Sequence, residues 1–347
     1  MTLCLLGVSH RTAPVAVRER FSIPARDLAA ILPRLRQGPL AEAAALSTCN
    51  RTEFYAATAD PAAAFAELAA FLSHSSRQPL EADSPHLYRK SGDAVAEHLF
   101  RVASGLDSAI LGESEIAGQV KDAYEAARTA GTTGPLLNRL FQRALHAAKE
   151  VRSSTDIGQG QASVGSVVAA LVRRLFGDEL TSCEVLLWGA GKAAEATTRH
   201  LIKHGIQRLW IVNRTQFKAQ DLASLCQSGW LSWERAREHL AHVDIAIVCT
   251  QAPHYVIDQA DVDAAIAQRG PRPLCLIDLA VPRNVDPSLA DRPGVVLYNI
   301  DQLQTTACGA LEARRDTLAG CEAILLRQVG HLRQASQRSF TEEALSW

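Results

Sequence analysis

The sequence lacks any run of about 18 apolar residues, so it predicts no membrane-spanning helix. Its amino terminus lacks the basic start of a secretory signal: "MTLCLLGVSHRTAP" is apolar for only about five residues, and we interpret it as a first strand. An excess of one charge sign is also missing, because 36 Lys and Arg residues face 37 Asp and Glu residues. The net charge of −1 argues against a generally basic nucleic-acid binder, although it leaves room for a local basic patch.

Paired cysteines are absent as well. The eight cysteines contain no CxxC pair and lie at Cys4, Cys49, Cys183, Cys226, Cys249, Cys275, Cys308 and Cys321. This scatter indicates neither a zinc site nor a disulfide framework, so we expect no metal. Without an export signal we expect reduced thiols and a cytoplasmic protein.

One cysteine stands out by its neighbours. Cys49 lies in "ALSTCNRTEFY", where an apolar run leads into hydrogen-bonding side chains, with Thr48 and Asn50 on either side. A free cysteine is often a small core residue. The alternative is a nucleophile that performs covalent chemistry.

The length of 347 residues exceeds one ordinary core and predicts roughly two or three domains. Near the N-terminus the signals run β–α–β–β–α, which predicts a small α+β unit of ferredoxin-like fold with helices on one sheet face. Residues 92–153 are mostly helical, and a Gly/Ser-rich stretch at 154–166 indicates a boundary. We therefore predict an α/β multidomain protein: a catalytic and substrate-recognition domain at 1–155, a Rossmann domain at 156–300, and a long helix with a shortened dimerisation region at 301–347.

Two helical segments stand out by their side chains. The polar side of "GPLLNRLFQRALHAAKEVRSST" carries Arg139, Arg143, Lys149 and Arg152. These cations form either a solvated helix face or a stripe that contacts phosphates. After Asp301 apolar residues recur at helical spacing without proline, which predicts a long helix; they include Leu311, Leu318, Ile324 and Leu325.

A glycine turn follows the predicted strand "CEVLLW" and opens a helix. In "GAGKAA", Gly189 permits the tight turn, Gly191 lets the backbone approach a pyrophosphate, and Ala194 takes the place of the third glycine. The later runs "VDIAIVCT" and "LCLIDLA" are typical of parallel strands buried on both faces, so we predict a doubly wound sheet. The alternative is a structural turn without a nucleotide. The predicted cofactor-binding residues of this turn are Gly189, Ala190, Gly191, Lys192, Ala193 and Ala194.

The end of the second strand bears on the choice of cofactor. An NADH site places Asp or Glu there, where it accepts from the ribose 2′-hydroxyl. This chain has Asn213, Arg214 and Thr215: a guanidinium can pair with a phosphate, and Asn and Thr can donate to it. The pattern favours NADPH, and the alternative for Arg214 is an ordinary surface arginine.

A redox domain joined to a cysteine domain indicates a thioester route. A thiolate attacks an activated acyl group, the thioester accepts a hydride, and the product is an aldehyde. A free carboxylate is too weak an electrophile for this chemistry, so the substrate must arrive activated.

At this point the motifs resemble a known family. From residue 3 to about 335 the chain resembles glutamyl-tRNA reductase in "GVSHRTAPVAVRERF", "STCNRTEFY", "HLFRVASGLDSAILGESEIAGQVK", "WGAGKAAE" with "IVNRT", and "IDLAVPRNVDP" followed by "YNIDQL". The resemblance implies reduction of glutamyl-tRNA(Glu) by NADPH to glutamate-1-semialdehyde, the first committed step of the five-carbon route to tetrapyrroles. It also points to glutamate-1-semialdehyde aminotransferase as a partner.

The same resemblance assigns roles to residues. Cys49 matches the family nucleophile, which expels the 3′-terminal ribose hydroxyl of the tRNA, and His98 matches a histidine important for activity. An imidazole near a thiol can lower the thiol pKa or take its proton, while the alternative for His98 is a helix-face side chain. Arg51 is the candidate for the substrate carboxylate, because a guanidinium pairs with it bidentately. The other implied substrate contacts are Thr48, Asn50, Ser108, Glu113, Ser114, Glu115 and Gln119, of which Ser108 and Glu113 are equally compatible with helix caps.

Three departures from the family pattern affect these expectations. Ser114-Glu115 replaces the usual Pro-Gln, and a carboxylate near a glutamyl group would weaken binding by like-charge repulsion. Ala193 and Ala194 are both small where the family has a larger residue, which is sterically tolerated. The C-terminal helical region is short, so the homodimer expected from the family is in doubt. The alternatives to an active reductase are a non-catalytic paralogue that binds tRNA or a regulatory partner, and a reductase of another acyl donor.

Overall fold

A computed structural model describes residues 1–36, 38–75, 84–158, 163–307 and 315–345. The chain divides into two compact units, the first made of Met1–Gln161 with Ala310–Trp347 and the second of Ala162–Gly309. The first boundary falls within the Gly/Ser-rich stretch at 154–166.

The first unit begins with a four-stranded antiparallel sheet and its helices. Its first elements are β1 (Thr2–Ser9), α1 (Val15–Arg18), α2 (Ala25–Leu35), β2 (Leu40–Ser47), β3 (Arg51–Thr58), α3 (Pro61–Ser75) and β4 (Tyr88–Ser91). The strand order β2-β3-β1-β4, antiparallel throughout, confirms the predicted ferredoxin-like fold. The sequence does not predict β4, because this short edge strand is polar. Residues 76–83, which precede it, lie outside the described residues.

Three helices follow the sheet: α4 (Asp93–Ala103), α5 (Glu115–Thr129) and α6 (Pro135–Ser154). Helix α5 buries Ile116, Val120 and Ala123, as its apolar spacing predicts. Gly131 stands just beyond its end with a φ of +66°, in the left-handed region where glycine terminates helices. Gly131 thus marks the end of α5.

The N-terminus of α6 is capped by a side chain from the sheet. Buried Glu42, on β2, accepts from three backbone N–H groups, those of Gly134 (2.9 Å), Leu136 (3.1 Å) and Leu137 (2.7 Å). A carboxylate in this position also interacts favourably with the helix dipole. Gly134 leaves room for it, because a Cβ there would lie 2.7 Å from the Glu42 carboxyl group.

We expect Glu42→Gln to lower the free energy of unfolding by about 2 kcal/mol, because the amide sets N–H groups against N–H donors. Hydrogen exchange should then quicken in the first turn of α6. Glu97→Gln changes an exposed acid on α4 and serves as the control, with an expected change below about 0.5 kcal/mol. Unaltered protection of that first turn in the Glu42 variant would contradict the capping role.

The second unit is a doubly wound parallel sheet. Its elements are α7 (Val164–Phe176), β5 (Glu184–Trp188), α8 (Lys192–Lys203), β6 (Arg208–Val212), α9 (Gln216–Cys226), β7 (Gly229–Leu231), α10 (Trp233–His239), β8 (Ile245–Val248), α11 (Gln259–Arg269), β9 (Leu274–Asp278), β10 (Val295–Asn299) and α12 (Ile300–Ala307). The parallel order β10-β9-β8-β5-β6-β7 confirms the predicted Rossmann fold. Strands β5, β8 and β9 are buried along their whole length, as expected for strands covered on both faces. The order reverses between β5 and β8, and ligands bind such sheets at this switch point.

The long C-terminal helix is present as α13 (Arg315–Leu345). Ile324 and Leu325 are buried and Leu318 is half-buried against the core of the first unit, while Leu311 lies outside the described residues. Because this apolar side packs on α4 and α6, the helix belongs to the first unit. The predicted third domain at 301–347 is therefore not a separate unit.

Polar contacts also fasten α13 to α6. The Gln328 amide donates to Glu150 (2.6 Å), and its oxygen accepts from Arg143 (3.2 Å). Arg143 therefore links α6 to α13. This role differs from both sequence-based alternatives for the cations of α6, a solvated helix face and a stripe that contacts phosphates. Within the described ranges, no helix combines the length and the apolar character that crossing a membrane requires.

Candidate active site

Cys49 lies in the turn between β2 and β3, and hydrogen bonds tie this turn at its base. The Thr48 hydroxyl accepts from the N–H groups of Asn50 (3.1 Å) and Arg51 (3.2 Å). The Thr48 N–H donates to the Arg51 carbonyl (2.8 Å), and the His10 N–H donates to the Asn50 carbonyl (2.8 Å). Thr48 and Asn50 thus stabilise the turn that contains the Cys49 sulfur. Their contact with substrate stays a prediction.

The surroundings of Cys49 disfavour its thiolate. Burial and then the charge of Glu113 raise the pKa of the thiol to about 12, and the charge of Glu115 adds to this. The charge of Arg18 opposes the increase, and its guanidinium lies 3.5 Å from the Cys49 carbonyl. The resting residue is therefore a neutral thiol at neutral pH, and it must lose its proton as it reacts.

Glu53 is the centre of a buried polar network. Its Oε1 accepts from Arg51 Nη1 (2.8 Å), His98 Nε2 (2.7 Å) and Tyr88 OH (2.5 Å), and Tyr55 OH donates to Oε2. Burial alone would raise the pKa of Glu53, but His98 and Arg51 outweigh burial and hold that pKa well below its ordinary value. Four donors therefore keep an ionised carboxylate in the core.

The structure ties His98 to Glu53. Its side chain is only 10% exposed, and its Nε2 lies 2.7 Å from Glu53 Oε1, so this face of α4 turns His98 toward the buried network. The described charges that shift the Cys49 pKa most are those of Glu113, Arg18 and Glu115. A direct action of His98 on the thiol therefore stays a prediction.

Arg51 is buried, and two acids engage its guanidinium. Besides Glu53, it donates from Nη1 to Asp107 Oδ2 (3.0 Å) and from Nη2 to the Asp107 carbonyl (2.5 Å). Asp107 also pairs with Arg11 Nε (2.8 Å). Burial disfavours the Arg51 cation, yet Glu53 and Asp107 outweigh burial and raise its pKa above the ordinary value. Arg51 thus fastens the Cys49 turn to the loop after α4, and its contact with a substrate carboxylate stays a prediction.

The loop between α4 and α5 carries further predicted contacts. Gly105 and Gly112 both have positive φ, and the Gly112 N–H donates to the Gly105 carbonyl (3.0 Å), which folds the loop back on itself. Burial raises the pKa of Glu113, and the buried Ser108 hydroxyl partly opposes this. The loop therefore places Ser108 beside Glu113. The charge of Glu113 in turn raises the pKa of Cys49.

Helix α5 continues this region. Ser114 precedes the helix, Glu115 is its first residue, and Gln119 lies half-buried one turn later. The Glu115 charge raises the pKa of both Cys49 and Glu113, so the replacement of Pro-Gln does add negative charge to the site. The residues thus linked to one another are Thr48, Cys49, Asn50, Arg51, Ser108, Glu113 and Glu115, with Ser114 and Gln119 adjoining them on α5.

None of the motifs in the sequence predicts the network around Glu53. A signal was present in β3, where every residue is buried and Arg51, Glu53 and Tyr55 alternate onto one face. Charged residues on a face of a fully buried strand indicate an internal network. Gly7 packs directly against this network, because a Cβ there would lie 2.8 Å from the Tyr88 ring and 2.9 Å from Glu53.

In the second unit the glycine turn follows β5 at the switch point. Gly189 has a φ of +127°, and a Cβ there would lie 2.6 Å from the Cys249 carbonyl, so only glycine fits. Gly191 is the N-cap of α8, and a Cβ there would meet no atom within 4 Å. Ala194 is fully buried one turn into the helix. The N-terminus of α8 is therefore open enough to accommodate a pyrophosphate. The remaining predicted cofactor-binding residues of this turn are Ala190, Lys192 and Ala193.

The end of β6 presents cations. Residues 213–218 contain no carboxylate, and both Arg214 and Lys218 are exposed. The Asn213 amide donates to the carbonyl of Thr215 (3.0 Å), the N-cap of α9. The end of β6 thus carries hydrogen-bond donors and positive charge, with no acid among residues 213–218.

The motif "IDLAVPRNVDP" shapes the loop after β9. Buried Asp278 accepts from the N–H groups of Ala280, Asn284 and Val285; burial raises its pKa to about 6 despite these donors. The Asn284 amide in turn donates to Ala252 (2.9 Å), which follows β8. The loops after β8 and β9 are thereby held together at the carboxyl edge of the sheet, where the switch point lies.

Comparison with known proteins agrees with both units. Residues 6–155 match the family model described as Glutamyl-tRNAGlu reductase, N-terminal domain, and residues 170–306 match Shikimate / quinate 5-dehydrogenase. Glutamyl-tRNA reductase of Desulforudis audaxviator is 40% identical over 331 residues, covering 95% of this chain and 74% of the relative. That of Geobacter sulfurreducens is 37% identical over 337 residues, covering 95% and 76%. The solved glutamyl-tRNA reductase from Methanopyrus kandleri is 31% identical with a TM-score of 0.53, covering 97% of this chain and 80% of its own.

A Rossmann unit with an open glycine turn, together with a unit that holds a cysteine in a tied turn, defines a nicotinamide-dependent oxidoreductase with a cysteine-bearing domain. The identity to these relatives, over most of their length, narrows the class to one family. The chain belongs to the glutamyl-tRNA reductase family. The resemblance read from the motifs is thereby confirmed.

Proposed function

We propose that this chain reduces glutamyl-tRNA(Glu) to glutamate-1-semialdehyde with NADPH, through a thioester on Cys49. The reaction is the first step of the five-carbon route to tetrapyrroles, and a glutamate-1-semialdehyde aminotransferase is the partner that consumes the aldehyde. The observation that carries the proposal is the structure of the turn that contains Cys49. In this turn the Thr48 hydroxyl accepts from the N–H groups of Asn50 and Arg51, and the Arg51 side chain donates to buried Glu53. The relatives named glutamyl-tRNA reductase support the same substrate.

Acylation starts from a protonated thiol. The Cys49 sulfur bonds to the glutamyl carbonyl carbon, the ester C–O bond breaks, and the thiol proton ends on the leaving ribose oxygen. Arg18 lowers the pKa of the thiol, so its charge favours the thiolate as it forms. A base must carry the proton, and His98, whose ring Glu53 orients, is our candidate for that base.

Substrate binding itself helps to activate the thiol. The α-ammonium of the glutamyl group is attached next to the carbonyl that Cys49 attacks. We place this ammonium near Glu113 and Glu115, the two carboxylates whose charges raise the Cys49 pKa. Their charges are then offset, and the thiol pKa falls when substrate arrives. We assign the substrate side-chain carboxylate to Arg51, with Asn50, Ser108 and Gln119 as hydrogen-bonding neighbours.

Bound NADPH supplies the hydride that reduces the thioester carbonyl. Within the second unit, Gly191 leaves the start of α8 open to the pyrophosphate. Asn213, Arg214 and Thr215 receive the adenosine 2′-phosphate, because their donors and charge match it.

The test combines purified protein with charged glutamyl-tRNA and NADPH, and follows semialdehyde formation. When NADPH is omitted, the intact-mass spectrum should show one glutamyl group, located on Cys49 by peptide mapping. An adduct on another residue, or none, would overturn the proposal. Mass in solution decides separately whether the chain forms the homodimer expected from the family.

We expect Arg214→Ala to raise the KM for NADPH by about tenfold or more, because a charge-assisted bond to the 2′-phosphate is lost. The KM for NADH should hardly change, since that cofactor has no 2′-phosphate. Lys203→Ala removes an exposed cation at the far end of α8 and is the control. An equal rise in the KM for NADPH and for NADH in Arg214→Ala would show that Arg214 does not bind the 2′-phosphate.

A further inference from the structure

A cavity of about 480 Å³ opens beside the substrate-binding loop of the first unit. It forms where the end of α6 and the 3₁₀ turn Asp156–Gly158 meet the loop that contains Gly112 and Ser114. The loop and the turn are in tight contact, because a Cβ at Gly112 would lie 2.4 Å from the Ile157 carbonyl. One wall of the cavity is therefore the loop that carries Glu113, whose charge raises the pKa of the Cys49 thiol.

Arg152 is the cation of this cavity. It belonged to the predicted stripe on α6, and its Nη2 lies 3.5 Å from the Glu113 carbonyl. The side chain is half-buried, and burial lowers the pKa of Arg152 without an offsetting contribution from any described carboxylate. A partly buried cation of this kind is stabilised when an anion binds beside it.

Apart from Gly112 and Gly158, the described residues that line the cavity have polar side chains, and none of them is aromatic. Ser114 and Ser154 supply hydroxyl groups, and Asp156 adds a carboxylate, whereas the hydroxyls of Ser153 and Thr155 already donate to the carbonyls of Glu150 (3.2 Å) and Val151 (2.7 Å). A guanidinium and hydroxyls are the usual contacts of phosphate and sugar, and a carboxylate can accept from ribose hydroxyls. A base would need a stacking surface, which these residues do not provide.

We propose that this cavity binds the ribose and phosphodiester of the 3′-terminal nucleotide of glutamyl-tRNA, with Arg152 on the phosphate. The inference rests on the proposed function, because the ester that Cys49 attacks is attached to that ribose. Holding the sugar and phosphate positions the ester carbonyl at the sulfur. Arg152 is then a residue that binds the tRNA end, distinct from those that bind glutamate.

The test compares two acyl donors on the full-length protein without NADPH: glutamyl-tRNA, and an α-glutamyl thioester of a small thiol that lacks a nucleotide. Acylation of Cys49 is followed by mass spectrometry. We expect Arg152→Ala to slow acylation by subsaturating glutamyl-tRNA about tenfold or more, and to leave acylation by the small thioester within about twofold. The salt slope of the reaction with glutamyl-tRNA should also fall by about one, the signature of one lost phosphate contact.

Two further variants complete the test. Arg34→Ala removes an exposed arginine on α2, away from the cavity, and should leave both acylation rates unchanged. Arg152→Lys keeps the charge and should recover part of the rate, while thermal unfolding confirms that each variant folds.

Three results would overturn the inference: equal losses with both donors, an unchanged salt slope, or a rise in the KM for NADPH without an effect on acylation. The failure of the inference is separable from that of the proposed function. If glutamyl-tRNA does not acylate the unaltered protein, the proposed function fails. If it does and Arg152→Ala reacts equally fast, only the inference fails.

Discussion

Replacing Cys49 by serine is expected to lower the reduction of glutamyl-tRNA by about a thousandfold or more. A serine hydroxyl is a far weaker nucleophile than a thiolate, and the ester it would form accepts hydride less readily than a thioester. The change replaces one atom in a turn that is held by hydrogen bonds to the Thr48 hydroxyl and to backbone carbonyls, so we expect the melting temperature to stay close to that of the unaltered protein. Semialdehyde formation and the glutamyl adduct are the two measurements.

Cys183→Ser is the matched control for the loss of a thiol. Cys183 is buried just before β5, at the end of that strand opposite the glycine turn, and burial raises its pKa to about 11. Its variant should keep turnover within about twofold, since it holds no position in the chemistry. A Cys49→Ser protein that retained more than about a tenth of normal turnover would contradict the thioester route.

Glu53→Gln is expected to lower the free energy of unfolding of the first unit by about 3–5 kcal/mol at neutral pH. The substitution removes the charge that faces Arg51 and weakens the acceptor shared by His98 and Tyr88. Breaking a buried ion pair costs this much because the remaining charge stays in the core with less compensation. Asp107 alone is then left to balance Arg51 within the network.

The division into two units allows this effect to be located. Hydrogen exchange in β1 and β3 reports on the first unit, where we expect faster exchange in Glu53→Gln. Tryptophan fluorescence reports mainly on the second unit and should not shift, because four of the five tryptophans lie there: Trp188, Trp210, Trp230 and Trp233. Glu97→Gln again serves as the exposed control. Unchanged exchange in β1 and β3 would show that the network contributes little to stability.

The same substitution carries a pH dependence of definite sign. In the folded state the pKa of Glu53 lies below its ordinary value, so its ionised form stabilises the fold above the unfolded-state pKa of about 4.3. That stability is lost as pH falls through the depressed folded-state pKa. The difference in unfolding free energy between the unaltered protein and Glu53→Gln should be full at pH 7 and narrow below about pH 4. A difference that widened on acidification would contradict this account.

Local patterns in the sequence were sufficient for most of the fold. Gly131 follows the end of α5 with a positive φ, and Asp60 caps α3 by accepting from the N–H groups of Ala62 (3.0 Å) and Ala63 (3.1 Å). Such signals act between residues close in the chain, so the sequence displays them directly. Strand β4 lacked a local signal, because its pairing with β1 joins Cys4 to Ser91, far apart in the chain.

The predicted site residues depended on the tertiary structure to different degrees. Thr48, Cys49 and Asn50 form a contiguous turn, so their proximity needed no structure. Arg51 and His98 were assigned to substrate and thiol, whereas the structure engages Arg51 with Asp107 and both residues with Glu53. These partners come from separate elements, and no spacing rule within one element could have joined them.

By itself the sequence determined the family, the two folds, the candidate nucleophile and the cofactor turn, because contiguous motifs and local periodicity encode each of them. Only the tertiary structure decided that the C-terminal helix belongs to the first unit, that an ionised Glu53 organises the core beside Cys49, and that Arg152 stands in a cavity. The physical reason is that burial and charge compensation depend on groups brought together from distant parts of the chain. Those groups have no fixed spacing that a sequence pattern can reveal.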